Sequence, residues 1–389
     1  MISSRLPFHA EPNAISVALA SLRAAGTPVV DLTESNPTRC GFAYPPDLLA
    51  GLADPGGWRY EPHPLGLPVA REAVAAHYAR AGLEVDPAHV VLTSSTSEAY
   101  AWLFKLLCDP GDAVLVPRPS YPLFEHLTRL ESVTAAPYLL RHHGRWEVAL
   151  ETVSAAPAGT RALLLVSPNN PTGSFVSTTE TEALASMCRE RGWAIVADEV
   201  FAEYPLEARA PVAGVTRGRD VLSFTLGGAS KSLGLPQVKL AWVVVDGPAD
   251  VRDRAIAGLE LVADTYLSVG TPVQLAAPAL LERGAAVRDQ IRRRIASNLL
   301  VVREAAARHP TCSLLGVEGG WAVVVRVPAT RPEETLVLDL LTRERILVHP
   351  GYFYDFPHEA FVVMSLLPPQ EVFRDAVPRA LARLGSPTP

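Results

Sequence analysis

The sequence predicts an α/β fold, a mostly parallel sheet flanked by helices and followed by a smaller α+β domain. Three observations predict it. Short runs such as RALLLVSP (161–168) and LAWVVVD (240–246) are apolar at nearly every position, so they read as strands covered on both faces. Segments of helical period separate them, as right-handed crossovers between parallel strands require. Past about residue 285 the texture changes to a long arginine-rich helix and then a different mixture of strands and helices.

The elements follow in order. GLPVAREAVAAHYARAG (66–82) is an amphipathic helix ended by Gly82, and VVLT (90–93) is a short strand. SEAYAWLFKLLC (97–108) is a helix stopped by the Asp109-Pro110-Gly111 turn. AVLVP (113–117) is a strand and 122–131 a helix; strand 161–168 precedes a helix over 178–191. WAIVADE (193–199), VLSFTL (221–226) and LAWVVVD complete the strands of this half. The long helix spans 286–308, followed by WAVVVRV, a helix near 333–344, the strands ILVHP and FVVMSLL, and a final helix. These runs predict a large domain over 46–285. They predict a small domain formed by 286–389 together with 1–45, since the N-terminal residues lack strand or helix partners of their own.

Composition excludes several functions. With 48% apolar and 20% charged residues and a net charge of −6, the chain is an ordinary globular protein. No basic stripe points to nucleic acid, and no polybasic tract points to a membrane surface. No apolar run approaches the ~20 residues that cross a bilayer. The start has no apolar stretch behind a basic one, so a cytoplasmic protein is expected. Cys40, Cys108, Cys188 and Cys312 are far apart, with no metal-ligand spacing, so no metal is expected. Basic residues are almost all arginine; Lys105, Lys231 and Lys239 are the three lysines among 35 basic residues.

In parallel sheets ligands gather at the carboxyl ends of the strands, and four sites stand there. Strand 161–168 runs into SPNNPTG (167–173), a rigid loop with an asparagine pair; a plain turn would use the prolines and glycine alone. Asp198 ends the next strand, where a carboxylate needs a cation or hydrogen bonds, although it also suits a helix N-cap. Lys231 follows the strand after that, in GGASKSLGLPQVKLAW (227–242). A desolvated lysine there has a lowered pKa and can attack a carbonyl, whereas a surface lysine would be unusual in a chain that prefers arginine. Ser95, Thr96 and Ser97 open a helix, where free N–H groups and hydroxyls bind phosphate or simply cap.

Taken together, these residues resemble the class I/II aminotransferases, pyridoxal 5′-phosphate (PLP) enzymes of fold type I. GASK with Gly234, Leu235, Leu240 and Ala241 is similar to the family's lysine site, SPNNPTG to its signature loop, and Asn170, Asp198 and Lys231 have its order and spacing. Weaker likenesses are Tyr60 with Gly66-Leu67-Pro68, Pro119-Ser120-Tyr121-Pro122, and Val348-His349-Pro350-Gly351. The resemblance implies the PLP-dependent transferase-like fold, with a mostly parallel seven-stranded sheet. It implies that Lys231 forms a Schiff base with PLP and later moves a proton, and that Asp198 pairs with the ring nitrogen. Asn170 then donates to the phenolate oxygen, Ser95, Thr96 and Ser97 hold the phosphate, and Tyr121 stacks on the ring. Tyr60, and with it Thr271, reaches a neighbouring subunit's phosphate, which implies a homodimer with shared active sites.

This sequence departs from the family at four places. Lys239 stands where the family carries a phosphate-binding arginine, losing the bidentate fork. Phe201 replaces a tyrosine that donates to the phenolate oxygen. Val363, two residues before Ser365, replaces the arginine that clamps the substrate carboxylate. Ser35, beside Asn36, replaces a glycine in the N-terminal segment. The last two changes bear on one part of the substrate, so its carboxylate recognition is expected to be atypical, with Arg39 or His349 as candidate replacements. The expected function is an aminotransferase acting between an amino donor and a 2-oxo acid. The alternatives are another PLP reaction on the same fold (β- or γ-lyase, decarboxylase, cyclase or oxidase) or a PLP-binding protein without catalysis.

Overall fold

The strand β1 (Val30–Asp31) is the first of fourteen among the residues described by the computed structural model, which are 2–6, 11–207, 214 and 218–386. Eight strands follow over the large half: β2 (Val90–Thr93), β3 (Ala113–Arg118), β4 (Thr134–His142), β5 (Trp146–Val148), β6 (Thr160–Val166), β7 (Ala194–Asp198), β8 (Ser223–Gly228) and β9 (Ala241–Asp246). They form one sheet in the order β2-β9-β8-β7-β6-β3-β4-β5. From β8 to β4 all pairings are parallel, while β9 runs antiparallel to both neighbours and β5 antiparallel to β4.

The apolar runs behave as strands covered on both faces. Ala162, Leu163, Leu164 and Leu165 of β6 are all fully buried. They alternate between two clusters, with Leu164 packing under the helix Thr96–Leu107 and Leu165 under the helix Thr178–Arg191. That second helix begins with a capping box, Ser177 and Glu180 each satisfying a backbone N–H of the other. It ends at Gly192 in the left-handed conformation.

The sheet has eight strands where seven were expected. The addition, β5, is three residues long and pairs at the edge through Leu140–Val148 and His142–Trp146. β4 is less legible in the sequence because Pro137 lies within it and its burial alternates. Two helices, Ala249–Tyr266 and Thr271–Arg283, fill the stretch between β9 and the long helix.

Five further strands belong to the C-terminal half: β10 (Ser313–Leu314), β11 (Ala322–Arg326), β12 (Ile346–Leu347), β13 (His349–Pro350) and β14 (Phe361–Ser365). Four make an antiparallel sheet ordered β10-β11-β14-β13. β12 pairs with β1, and the Ser365 N–H donates to the Leu32 carbonyl at 2.7 Å, so the N-terminal segment is tied to the C-terminal strands. The helix expected near 333–344 is α-helical over Glu333–Asp339 and closes in a wider π-type turn over Leu340–Glu344. The long helix Ala285–Arg308 buries Ile291, Ile295, Leu299 and Val302 in a cluster that also holds Leu32, Leu233, Val323 and Phe373. This cluster therefore spans both halves.

Candidate active site

Because β6, β7 and β8 are parallel neighbours, their carboxyl ends open on one edge of the sheet. Asp198 ends β7. Its carboxylate accepts the Val200 N–H and the Tyr100 hydroxyl, each at 3.1 Å. Burial pushes this carboxyl up to about 6, against those two hydrogen bonds and the charge of Lys231. Lys231 follows β8 on the single turn Ala229–Ser232, with its carbonyl held by the Tyr204 hydroxyl at 2.5 Å. Burial lowers its ammonium below the usual range, and Asp198 opposes that shift. The Nζ atom lies 5.6 Å from the Phe201 ring centroid and 5.2 Å from that of Trp321. Neither Asp198 nor Lys231 makes an ion pair with another described residue.

The loop after β6 divides its asparagine pair. Asn169 is buried and structural: its amide donates to the Pro119 carbonyl at 3.0 Å and to Thr172 Oγ1 at 2.8 Å, and its Oδ1 accepts Ser120 Oγ at 2.6 Å. Asn170 faces the cavity. At the start of the helix Thr96–Leu107, Ser95 Oγ accepts the Glu98 N–H at 3.1 Å and Glu98 Oε2 accepts the Ser94 N–H at 2.7 Å. The N–H groups of Thr96 and Ser97, in the first turn, have no intrahelical acceptor.

These groups enclose a cavity of about 340 Å³. Tyr121, Leu123, Phe124 and Leu127 cover one side. Trp321, Phe353, Tyr354 and His349 close it from the C-terminal half, and Thr33 from the N-terminal segment. Of the residues singled out from sequence, Lys231, Asp198, Thr96, Ser97, Tyr121, Asn170, Phe201, Ser35, Val363 and His349 line this one cavity.

The others lie outside it. Ser95 spends its side chain on the helix cap. Asn36 caps the turn Pro37–Arg39, accepting Thr38 N–H and Oγ1. Arg39 is 74% exposed and lies 3.8 Å from Glu34. Lys239 is exposed on a left-handed turn, φ 57°, just before β9. Tyr60 is 74% exposed and lines a separate shallow hollow with Thr271. Sequence reasoning missed Tyr100, Trp321 and Tyr354. Each carries a polar atom on an otherwise apolar stretch, which was the available signal, but that pattern equally describes core packing.

The residues present fit PLP. Two oppositely charged groups are desolvated without touching, a costly arrangement unless a bound group meets both. The cavity also offers first-turn N–H groups suited to a phosphate, an amide at Asn170 and an aromatic cover at Tyr121. Among the described residues there is no cluster of metal-ligating side chains and no helix long and apolar enough to cross a membrane.

Comparisons with known proteins agree. The glutamate-pyruvate aminotransferase AlaA of Escherichia coli K12 is 26% identical over 346 residues, covering 86% of this chain and 85% of that protein. The alanine aminotransferase of Mycobacterium tuberculosis is 27% identical over 369 residues, covering 90% and 84%. Among solved structures, an alanine aminotransferase from Pyrococcus furiosus superposes with a TM-score of 0.87 at 22% identity, covering 99% of this chain and 98% of that one. That likeness speaks to the fold. The family pattern described as aminotransferase class I and II matches residues 29–372, and with this the chain belongs to the class I and II aminotransferases, enzymes that use pyridoxal phosphate.

Proposed function

We propose that this aminotransferase moves an amino group between an amino acid, or a related amine, and a 2-oxo acid through the amine of Lys231. The observation that carries the reading is the Lys231 amine itself. It is desolvated, without an ion-pair partner among the described residues, and set in one cavity with the Asp198 carboxylate. An amine held below its usual pKa spends more time unprotonated, the form that attacks a carbonyl and accepts a proton. When bound, PLP supplies an electron sink for the electrons left at the substrate α-carbon.

The chain's own residues do the rest. Asp198, positioned by Tyr100 and Val200, holds a proton on the ring nitrogen. Asn170 donates to the ring oxygen, and Thr96 and Ser97 receive the phosphate. Tyr121 covers one ring face, and the wall of Phe124, Leu127 and Phe353 excludes water. Lys231 Nζ carries the proton to and from the α-carbon.

The same reading includes a homodimer with shared sites. Trp58 (92% exposed), Tyr60, Leu261 and Tyr266 leave large apolar side chains on the surface that a second subunit would cover. It places the protein in the cytoplasm, in keeping with four unpaired cysteines.

The test is to titrate the purified yellow protein with a panel of amino acids and amines, following the cofactor band and the products. Formation of a 2-oxo acid with stoichiometric conversion of the cofactor to its amine form supports transamination. Ammonia release without that conversion overturns it in favour of a lyase or oxidase. Borohydride should fix the cofactor to Lys231 by peptide mapping. Lys231→Ala should lose that adduct and lower turnover by at least about a thousandfold.

A further inference from the structure

We propose that His349, oriented by Tyr354, is the residue that receives the substrate carboxylate. The proposal rests on the aminotransferase reading above and names how that site recognises its substrate.

The geometry begins in the small sheet. His349 on β13 stands directly opposite Val363 on β14 in antiparallel register. Directly opposed residues project from the same face, and both of these line the cavity. Val363 offers no hydrogen-bond donor and is short, so the imidazole across from it puts a polar group where the valine has none.

Among the described residues this wall has no fixed cation to compete with it. No arginine is among the described residues lining the cavity, and Lys231 is the one lining lysine. Arg39 turns to Glu34 at 3.8 Å, and Arg118 to Asp355 at 3.3 Å.

The imidazole is held in a defined state. Its Nδ1 lies 2.9 Å from the Tyr354 hydroxyl. Burial pushes the Tyr354 phenol well above its ordinary value, so it keeps its proton, and in this proposal that proton lies in the bond with Nδ1. Burial also lowers the His349 pKa, which favours the neutral ring. A neutral imidazole that accepts at Nδ1 carries its hydrogen on Nε2. No described residue accepts from that Nε2. Ser35, on the N-terminal segment, also lines the cavity, and its hydroxyl has no partner among the described residues. The two groups together present donors to a carboxylate, which forms stronger hydrogen bonds than a neutral acceptor.

The test compares an amino acid with the amine left when its carboxylate is removed. The walls of Leu123, Phe124, Leu127 and Phe353 suit apolar probes, so the pairs are phenylalanine with phenylethylamine and leucine with isoamylamine. Binding to the holoenzyme is read by spectral titration. Wild type should favour each amino acid over its amine. In His349→Phe that preference should fall by about 10- to 100-fold, the loss of one charge-assisted hydrogen bond. Tyr354→Phe should lower it less. His349→Gln, which keeps an N–H donor, should retain a larger part than His349→Phe. Adding Val363→Arg to His349→Phe should restore the preference.

A wild type with no preference overturns the proposal. So does a His349→Phe protein, still carrying its cofactor band, that keeps the preference. If His349→Phe does not fold, His349→Gln and Tyr354→Phe decide it by the same ratio, and an unchanged ratio in both overturns it. Absence of any spectral response to amino acid and amine alike overturns the aminotransferase reading itself, and this proposal with it.

Discussion

Asp198 ends β7 with two hydrogen bonds and no ion pair among the described residues, and burial pushes its carboxyl from the ordinary 3.8 up to about 6. Between those values the folded protein binds more protons than the unfolded chain, so this residue's contribution to stability falls as pH rises. In the cofactor-free protein, Asp198→Asn should therefore be more stable than wild type near neutral pH, by up to about 3 kcal/mol. The advantage should vanish below 3.8. Urea unfolding at the two pH values checks this; an equal difference at both would contradict it. Adding PLP should reverse the neutral-pH order, because the carboxylate then has a cation to meet. The charged residues were legible at this scale. A lysine in an arginine-rich chain and an Asp ending an apolar strand are chemical anomalies that need no structure to notice. The Asn169 role was not, since only the fold turns its amide toward Pro119 while Asn170, the one the resemblance singled out, lines the cavity.

At the scale of elements, the loop Ser167–Gly173 is a brace as well as a site. The Gly173 carbonyl accepts the N–H groups of Glu318 and Gly319, at 3.0 and 2.8 Å, just before Trp321 enters the cavity wall. Gly173 has φ +68°, and a Cβ there would meet Val317 Cγ2 at 2.4 Å and the Gly319 carbonyl at 2.6 Å. Gly192 shares the left-handed conformation at φ +67° but has nothing within 4 Å of its Cβ position. Gly192→Ala should cost about 1 kcal/mol, the conformational penalty alone. Gly173→Ala should cost about 2–4 kcal/mol, adding overpacking, and should weaken PLP binding by displacing Asn170. Thermal unfolding and cofactor titration of both variants separate the two effects. Equal losses would show that crowding at Gly173 is relieved by movement. The sequence places Gly173 in a loop and ends a helix just before Gly192, but only the packed neighbour distinguishes them.

For the whole molecule, Glu203 links elements far apart in sequence. It lies on the segment after β7; Oε1 pairs with Arg288 of the long helix, and Oε2 is 3.4 Å from His77 Nε2 of the helix Pro68–Ala79. Its carbonyl accepts Arg292 Nε at 2.6 Å. Burial alone would raise this carboxyl, yet His77, Arg288 and Arg292 outweigh it and hold it below its ordinary 4.5. A depressed carboxyl stabilises above the unfolded value and loses that contribution as pH falls through the folded one. Glu203→Gln should therefore destabilise by about 3–5 kcal/mol at neutral pH, because it strands Arg288. The gap should shrink as pH falls below 4.5. Denaturant unfolding against pH measures it, and a gap independent of pH would assign the loss to packing.

The sequence by itself determined the α/β class, most of the strands and the family, and it singled out Lys231, because these depend on apolar period and on local motifs that keep their spacing in any correct fold. It also exposed the departures at Val363, Phe201, Lys239 and Ser35. Only the tertiary structure decided where those departures sit and what they face. It places Val363 and His349 side by side across a strand pair, sets Phe201 and Trp321 around the Lys231 amine, and leaves Lys239 and Arg39 in solvent. The reason is physical. A motif states which groups are available, whereas direction, register and desolvation arise when elements hundreds of residues apart pack into one core.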